Sequence, residues 1–268
     1  MAKELSLRDV QLSCFEIMKA FDAFCKENNI RYFISHGTLL GTIRYKGFIP
    51  WDDDVDVLVP REDYERLLTI YKDTEKYRLL HFDKDERFLF PYAKLCDMTT
   101  LKIENGQEDG LKLGLDMDIF PLDAWADDRK KAKKEVKQQK RALMCLGLTK
   151  LDKPDSLNLL KRIVKAILMV FCKMMGSKHY VRKLMKNAKK HPYEGAKYLG
   201  GKAWNVYGYR DIIPAEAFDH PIEVEFEGET FWAPVGYDAF LSSLYGNYLP
   251  EPPLEKRKTH HNFKAYEL

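Results

Sequence analysis

A chain of 268 residues, 45% hydrophobic and 32% charged, can bury a sizeable core as one large domain or two small ones, and its balance excludes a largely disordered protein. Five scattered cysteines with no CxxC pair exclude a zinc ribbon and predict a reduced, cytosolic protein. The formal charge of +3 conceals a segregation: residues 129–190 hold 20 Lys/Arg against 3 Asp/Glu, roughly +17, while the rest carries 24 against 38, roughly −14.

The opening MAKELSLRDV sets charges before any apolar run, so no signal peptide is expected. Residues 5 to 27 read as an amphipathic helix, with Val10, Cys14, Met18, Phe21 and Cys25 on one side and Asn28-Asn29 as the stop. A short apolar strand follows, Arg31 to Ser35, and then a Gly-Thr pair, Gly37-Thr38, which opens a helical turn. Such a turn can present backbone N–H groups and a hydroxyl to a phosphate.

A loop through Gly47, Pro50 and Trp51 then delivers Asp52, Asp53, Asp54 and Asp56. From Asp54 the pattern alternates as D-V-D-V-L-V, which puts Asp54 and Asp56 on one face of a strand and Val55, Val57 and Val59 on the other. Ionised carboxylates this close repel, and a hard cation with oxygen ligands is the usual compensation; Mg²⁺ fits, with Mn²⁺ as its substitute. A solvated aspartate loop is the bland alternative, and the alternation with valine argues against it. An EF-hand fits poorly: counted from Asp52, position six is Val57 rather than Gly and position twelve is Asp63 rather than Glu.

Pro60 and REDYER start a further helix, with Tyr64, Leu67, Leu68 and Tyr71 inward. Strands are expected at Tyr77–Phe82, Phe88–Cys96 and Thr100–Glu104. Lys94 is a candidate partner for phosphate or carboxylate. LGLDMDIFPLD (residues 113–123) repeats the alternation with Asp116 and Asp118, and a strand here can add a third carboxylate, as metal ligand or as base for an attacking hydroxyl. A polar face on an edge strand is the alternative.

From Asp127 to Lys190 the period is helical. LNLLKRIVKAILMVFCKMMG interleaves Leu160, Val164, Ile167, Leu168 and Phe171 with Lys161, Arg162, Lys165 and Lys173. Those cations exclude a comfortable membrane span and suit a helix lying on an anionic membrane surface, or else one packed in a small helical subdomain. Nucleic acid is not expected, because no recognition motif accompanies the charge. IEVEFEGETFWAP reads as a hairpin with Val224 and Phe226 inward and Glu223, Glu225 and Glu227 outward, and a helix runs from about Asp238 to Tyr245. The ending YLPEPPLEKRKTHHNFKAY is too rich in proline for regular structure; its charge, with His260 and His261, can fold back over a phosphate site.

HGTLLGTIRYKGFIPWDDDVDV, then LDMDIFPLD, then the WAP…YG…PP…HH-FKAY ending resemble the LicD family of bacterial cholinephosphotransferases, with fukutin-type phosphosugar transferases as distant relatives. The resemblance implies a nucleotidyltransferase-like α/β (α+β) fold, a small mixed sheet flanked by helices. It implies transfer of phosphocholine from CDP-choline to a lipid-linked glycan, a teichoic acid or lipopolysaccharide precursor, with CMP released. On the matching motifs, Asp54 and Asp56 correspond to the metal pair, Asp118 (or Asp116) to the third carboxylate, and Gly37 and Thr38 to the phosphate-side turn. Arg44, Trp51, Lys94, His260 and His261 join them as candidate substrate-binding residues, and Trp51, Trp204, Tyr207 and Trp232 as candidates for an aromatic cage around choline. The expected organisation is a catalytic core over 1–126, a basic helical insertion over 127–192, and an aromatic-rich part over 193–268 that completes the core. The expected location is cytoplasmic, on the inner face of the plasma membrane. A nucleotidyltransferase acting on a small acceptor and a non-catalytic membrane-docked scaffold are the competing readings.

Overall fold

The computed structural model describes residues 3–104, 113–155, 158–259 and 263–268. In chain order the strands are β1 (Lys3–Glu4), β2 (Phe33–Ile34), β3 (Asp56–Pro60), β4 (Tyr77–Leu80), β5 (Ala93–Glu104), β6 (Leu113–Ala124), β7 (Tyr198–Gly200), β8 (Ile213–Pro214), β9 (Pro221–Phe226), β10 (Glu229–Pro234) and β11 (Phe263–Glu267). The α-helices are α1 (Leu7–Glu27), α2 (His36–Tyr45), α3 (Arg61–Ile70), α4 (Arg129–Lys150), α5 (Leu159–Met175), α6 (Ser177–Ala188) and α7 (Tyr237–Tyr245). The class is mixed α/β. The main sheet runs β1-β11-β5-β6-β3-β2, with β4 also on β5 and β7 joining β6 to β8.

Helix α1 begins at a reciprocal cap: the Ser6 hydroxyl accepts from Asp9 N, and the Asp9 carboxylate accepts from Ser6 N. Its covered stripe, Val10, Cys14, Ile17, Met18, Phe21 and Cys25, packs against β5 and β6. Val57 and Val59 on β3, with Val55 just ahead of it, are fully buried, so the valine face supplies the core and turns the aspartates to the other side. All five cysteines are free thiols.

Three local expectations differ from the structure. Phe88–Cys96 and Thr100–Glu104 are not two strands: residues 93–104 form one, with a bulge between Asp97 and Lys102, and residues 88–92 lie outside it. The Asp97 carboxylate accepts from Thr99 N and Oγ1, so the polar run folds on itself without leaving the ladder. Gly114 on β6 permits this, since a Cβ there would lie 1.7 Å from Asp97 O. The tail is not wholly irregular either, because Phe263–Glu267 pairs with both β5 and β1. Five residues carry little local signal, whereas the open edge of β5 offers backbone partners. Thirdly, Glu227 does not face outward: its carboxylate accepts from Arg8 Nη2 (2.6 Å) and Phe48 N (3.2 Å) and ties the β9–β10 hairpin to α1. The hairpin turns at Glu227-Gly228 with φ of 53° and 83°, the positive pair a type I′ turn needs.

Helices α4, α5 and α6 share a separate core that includes Ala142, Leu146, Met169, Cys172, Val181 and Leu184. Glu135 of α4 anchors this layer to the sheet. Its carboxylate meets Lys202 Nζ at 3.1 Å and His191 Nε2 at 2.7 Å, and Lys202 Nζ also donates to Ala124 O at the end of β6. No helix among the described residues is long and apolar enough to cross a membrane.

Candidate active site

The aspartate motifs meet because β3 and β6 are parallel neighbours in the middle of the sheet. Asp56 lies opposite Asp118, and Asp118 N donates to Val55 O at 2.9 Å, so the pairing continues one residue ahead of β3 toward Asp54. Strand β6 is therefore no edge strand. Asp54, Asp56 and Asp118 line one cleft of about 340 Å³. The Asp52, Asp53 and Asp54 carboxylates also offer oxygens within 4.8 Å of one another. The loop that carries them is held by Gln11, whose side-chain amide donates to Asp52 O at 2.9 Å.

Helix α2 starts at the same cleft. Gly37 lines it, and a Cβ at Gly37 would lie 2.6 Å from Asp52 Oδ2, so any other residue here would have to push the Asp52 carboxylate aside. The Thr38 hydroxyl is engaged inside the protein: it accepts from Asp56 N at 2.9 Å and so joins α2 to the first residue of β3. Arg44 donates to the carbonyl oxygens of Tyr248 and Pro250, which fastens the far end of α2 to the segment after α7. Trp51 lines the cleft, with the Arg257 guanidinium over its ring.

Lys94 lies opposite Asp118 on β5, and its Nζ sits 2.6 Å from Asp116 Oδ1 and 2.5 Å from Asp118 Oδ1. Only the first contact has hydrogen-bonding geometry; Asp118 Oδ1 is buried with no hydrogen-bond partner among the described residues. Lys102 Nζ adds a second cation on Asp116 at 3.1 Å. Asp116 and Asp118, two apart on one strand, thus part company. Burial would raise the Asp116 pKa, but Lys102 and Lys94 outweigh it and hold that carboxyl below the usual range. Asp118 stays above the usual range, because burial outweighs Lys94 and the Asp116 charge adds to it. Asp56 is pushed up furthest by burial, reinforced by Asp54, Asp118 and Asp52.

The opposite wall comes from distant parts of the chain: Trp204, Tyr207, Asp211 and Tyr245, with His36 and Phe120 at its foot. His36 stacks on Tyr207 at 5.4 Å, and burial lowers its pKa to about 4, leaving the imidazole neutral beside Asp56. Tyr207 and Tyr245 share a hydroxyl–hydroxyl bond of 2.9 Å. Burial raises the Asp211 pKa to about 7, although Gly201 N and the Asn205 amide donate to its carboxylate. Trp232 lies elsewhere, against Tyr32 and Lys26. His260 and His261 lie outside the described residues. Sequence reasoning did not single out His36, Asp211 or Tyr245 for the site. His36 adjoins the Gly-Thr pair and could have been included; Asp211 and Tyr245 lie more than 150 residues from Asp54 and Asp56 and carry no motif.

Residues 29–145 match the LicD/FKTN/FKRP nucleotidyltransferase domain. Over 273 aligned residues the chain is 33% identical to the lipopolysaccharide cholinephosphotransferase LicD of Haemophilus influenzae, covering 99% of this chain and all of that protein. The chain belongs to the LicD family. Two uncharacterized rickettsial proteins match shorter stretches of this LicD family enzyme. The one from Rickettsia typhi is 40% identical over 73 residues, 26% of this chain and 23% of its own length. The one from Rickettsia prowazekii is 42% identical over 65 residues, 24% of each.

The carboxylates Asp52, Asp54, Asp56 and Asp118 at the cleft offer oxygen donors, and the charges of Asp54, Asp118 and Asp52 crowd Asp56. Mg²⁺ or Mn²⁺ fits that set, whereas a softer metal would want nitrogen or sulfur.

Proposed function

We propose that this LicD family enzyme transfers phosphocholine from CDP-choline to a hydroxyl of a lipid-linked cell-surface glycan, with Mg²⁺ or Mn²⁺ as cofactor and CMP as leaving group. The relative from H. influenzae, named for lipopolysaccharide, favours that glycan class over teichoic acid. The observation that carries the reading is the Asp56–Asp118 register at the floor of an aromatic-walled cleft.

Asp54, Asp56 and Asp118 would hold the ion, which when bound would neutralise the diphosphate and orient it for displacement. The acceptor oxygen bonds to the phosphorus that bears choline, and the bond from that phosphorus to the bridging oxygen breaks, so CMP departs with the bridging oxygen. The hydroxyl proton passes to a cleft carboxylate. Asp118 suits that role where Asp54 and Asp56 alone hold the ion, and Asp116 does not, since the two lysines keep Asp116 ionised and occupied. Trp51, Trp204 and Tyr207 line the cleft as the candidates to meet a quaternary ammonium, and the neutral His36 adds no competing charge. Because the acceptor carries a lipid, the enzyme is expected at the cytoplasmic face of the plasma membrane.

A panel of CDP-linked donors, followed by phosphorus NMR, tests the assignment. Metal-dependent release of CMP from CDP-choline is expected, with Asp54→Ala lower by roughly a hundred- to a thousandfold, the scale of losing one electrostatic group in a site of this kind. Pyrophosphate as product would instead make the enzyme a nucleotidyltransferase. No donor binding in the presence of Mg²⁺ would make it a scaffold.

A further inference from the structure

Helix α5 is turned inside out. Met169 and Cys172 are its buried residues, whereas Leu160, Ile163, Ile167, Val170, Phe171 and Met174 are 49 to 80% exposed. At 3.6 residues per turn these six fall on one side of the helix. Lys161, Arg162, Lys165 and Lys173 fall on the other, the side that carries Met169 and Cys172. A surface helix packed in the ordinary way has the reverse arrangement.

The apolar surface extends beyond α5. A groove of about 630 Å³ between α5 and the end of α4 is walled by Met144, Leu148, Leu151, Leu160, Val164 and Leu168. Single exposed apolar residues are ordinary on soluble proteins, but a continuous patch over two helices marks a contact surface.

We infer that α5 lies along an anionic lipid bilayer, with its apolar side among the acyl chains and its cations at headgroup depth. Charge decides between this occupant and a second copy of the chain. Residues 129–190 carry roughly +17, so pairing two such faces would bring like charges together, whereas an anionic surface attracts them. Length agrees: 17 residues span about 25 Å, too short and too charged to cross a bilayer but suited to lying in its interface. This reading names the surface that would bring the enzyme to a lipid-linked acceptor, and it rests on the preceding proposal only for that purpose.

Vesicle sedimentation tests the docking without turnover, so its failure is distinct from failure of the phosphotransfer reading. The full chain should bind phosphatidylcholine vesicles containing anionic phosphatidylglycerol and bind pure phosphatidylcholine far more weakly. Lys161→Gln, Arg162→Gln and Lys173→Gln together should weaken binding to the anionic vesicles by roughly a hundredfold, at about fivefold per cation. Ile167→Glu with Phe171→Glu should abolish binding while circular dichroism shows the helix content retained. Equal affinity for both vesicle types would overturn the inference. So would a dimer in solution that the Ile167→Glu, Phe171→Glu variant converts to monomer, since the face would then belong to a second copy.

Discussion

The cleft floor and the α5 helix both keep groups where folding alone would not put them, and the molecule compensates only one of them internally. Around Asp116 and Asp118, repulsion is answered by Lys94 and Lys102, both largely buried and each within 3.1 Å of a carboxylate oxygen. On α5, apart from the buried Met169 and Cys172, the apolar side chains point outward, and Leu160, Ile163, Ile167, Val170, Phe171 and Met174 stay 49 to 80% exposed among the described residues. A charge crowd needs fixed counter-charges at short range, and the sheet register supplies these. An apolar face needs only area, which a surface outside the chain can provide as well as a core can. Stability measurements should therefore respond strongly to changes in the first region and barely to changes in the second.

The largest response is expected from Lys94→Met. Removing the cation that bridges Asp116 and Asp118 leaves the buried Asp118 without a counter-charge and Asp116 with Lys102 alone, and should cost about 3–5 kcal/mol in a urea titration. Adding Asp116→Asn should recover part of that loss; strict additivity would show that the two side chains do not communicate.

Asp211 sharpens the comparison from the cleft's far wall. Its pKa of about 7 lies above the ordinary value near 3.8, so the folded state binds the extra proton. Its contribution is full below about pH 4 and is lost as pH rises through 7, by at most about 4 kcal/mol on linkage. Asp211→Asn keeps an acceptor for the Asn205 amide and should flatten stability between pH 4 and 8. An unchanged slope would remove Asp211 as its source.

Gly37→Ala is expected to be milder. Alanine gains up to about 1 kcal/mol of helix propensity. Its Cβ meets Asp52 Oδ2 at 2.6 Å, and overpacking of that kind costs about 1–3 kcal/mol, so a net loss of roughly 1 kcal/mol is expected in thermal unfolding. The smallest effect belongs to the second region: Phe171→Glu, at a position 60% exposed, should leave stability within about 0.5 kcal/mol. A drop of several kcal/mol there would mean that α5 is covered, and the contrast would fail.

Local pattern made much of the site legible. Period-two alternation announced the aspartate face of residues 54–59 and again that of residues 113–119, and apolar spacing announced α1 and α3. It could not separate Asp116 from Asp118, because the difference lies in two lysines on a neighbouring strand. It could not assign the Thr38 hydroxyl to Asp56 N, since a hydroxyl beside a glycine reads equally as a ligand for phosphate. Residues 263–267 became a strand because β5 offered an edge, a cause lying outside the segment itself. In α5 the period showed a helix with an apolar side, and burial alone revealed which way that side faces.

The sequence by itself determined the LicD motifs, the alternating carboxylates, the helical basic segment and the charge imbalance, because each is carried by neighbours in the chain. The tertiary structure alone decided that Asp56 faces Asp118, that Lys94 and Lys102 take Asp116 out of the cleft, that Tyr207 and Asp211 close its far wall, and that α5 shows its apolar side to the outside. The reason is range: periodicity acts over a few residues, whereas strand register and desolvation join residues tens to hundreds of positions apart.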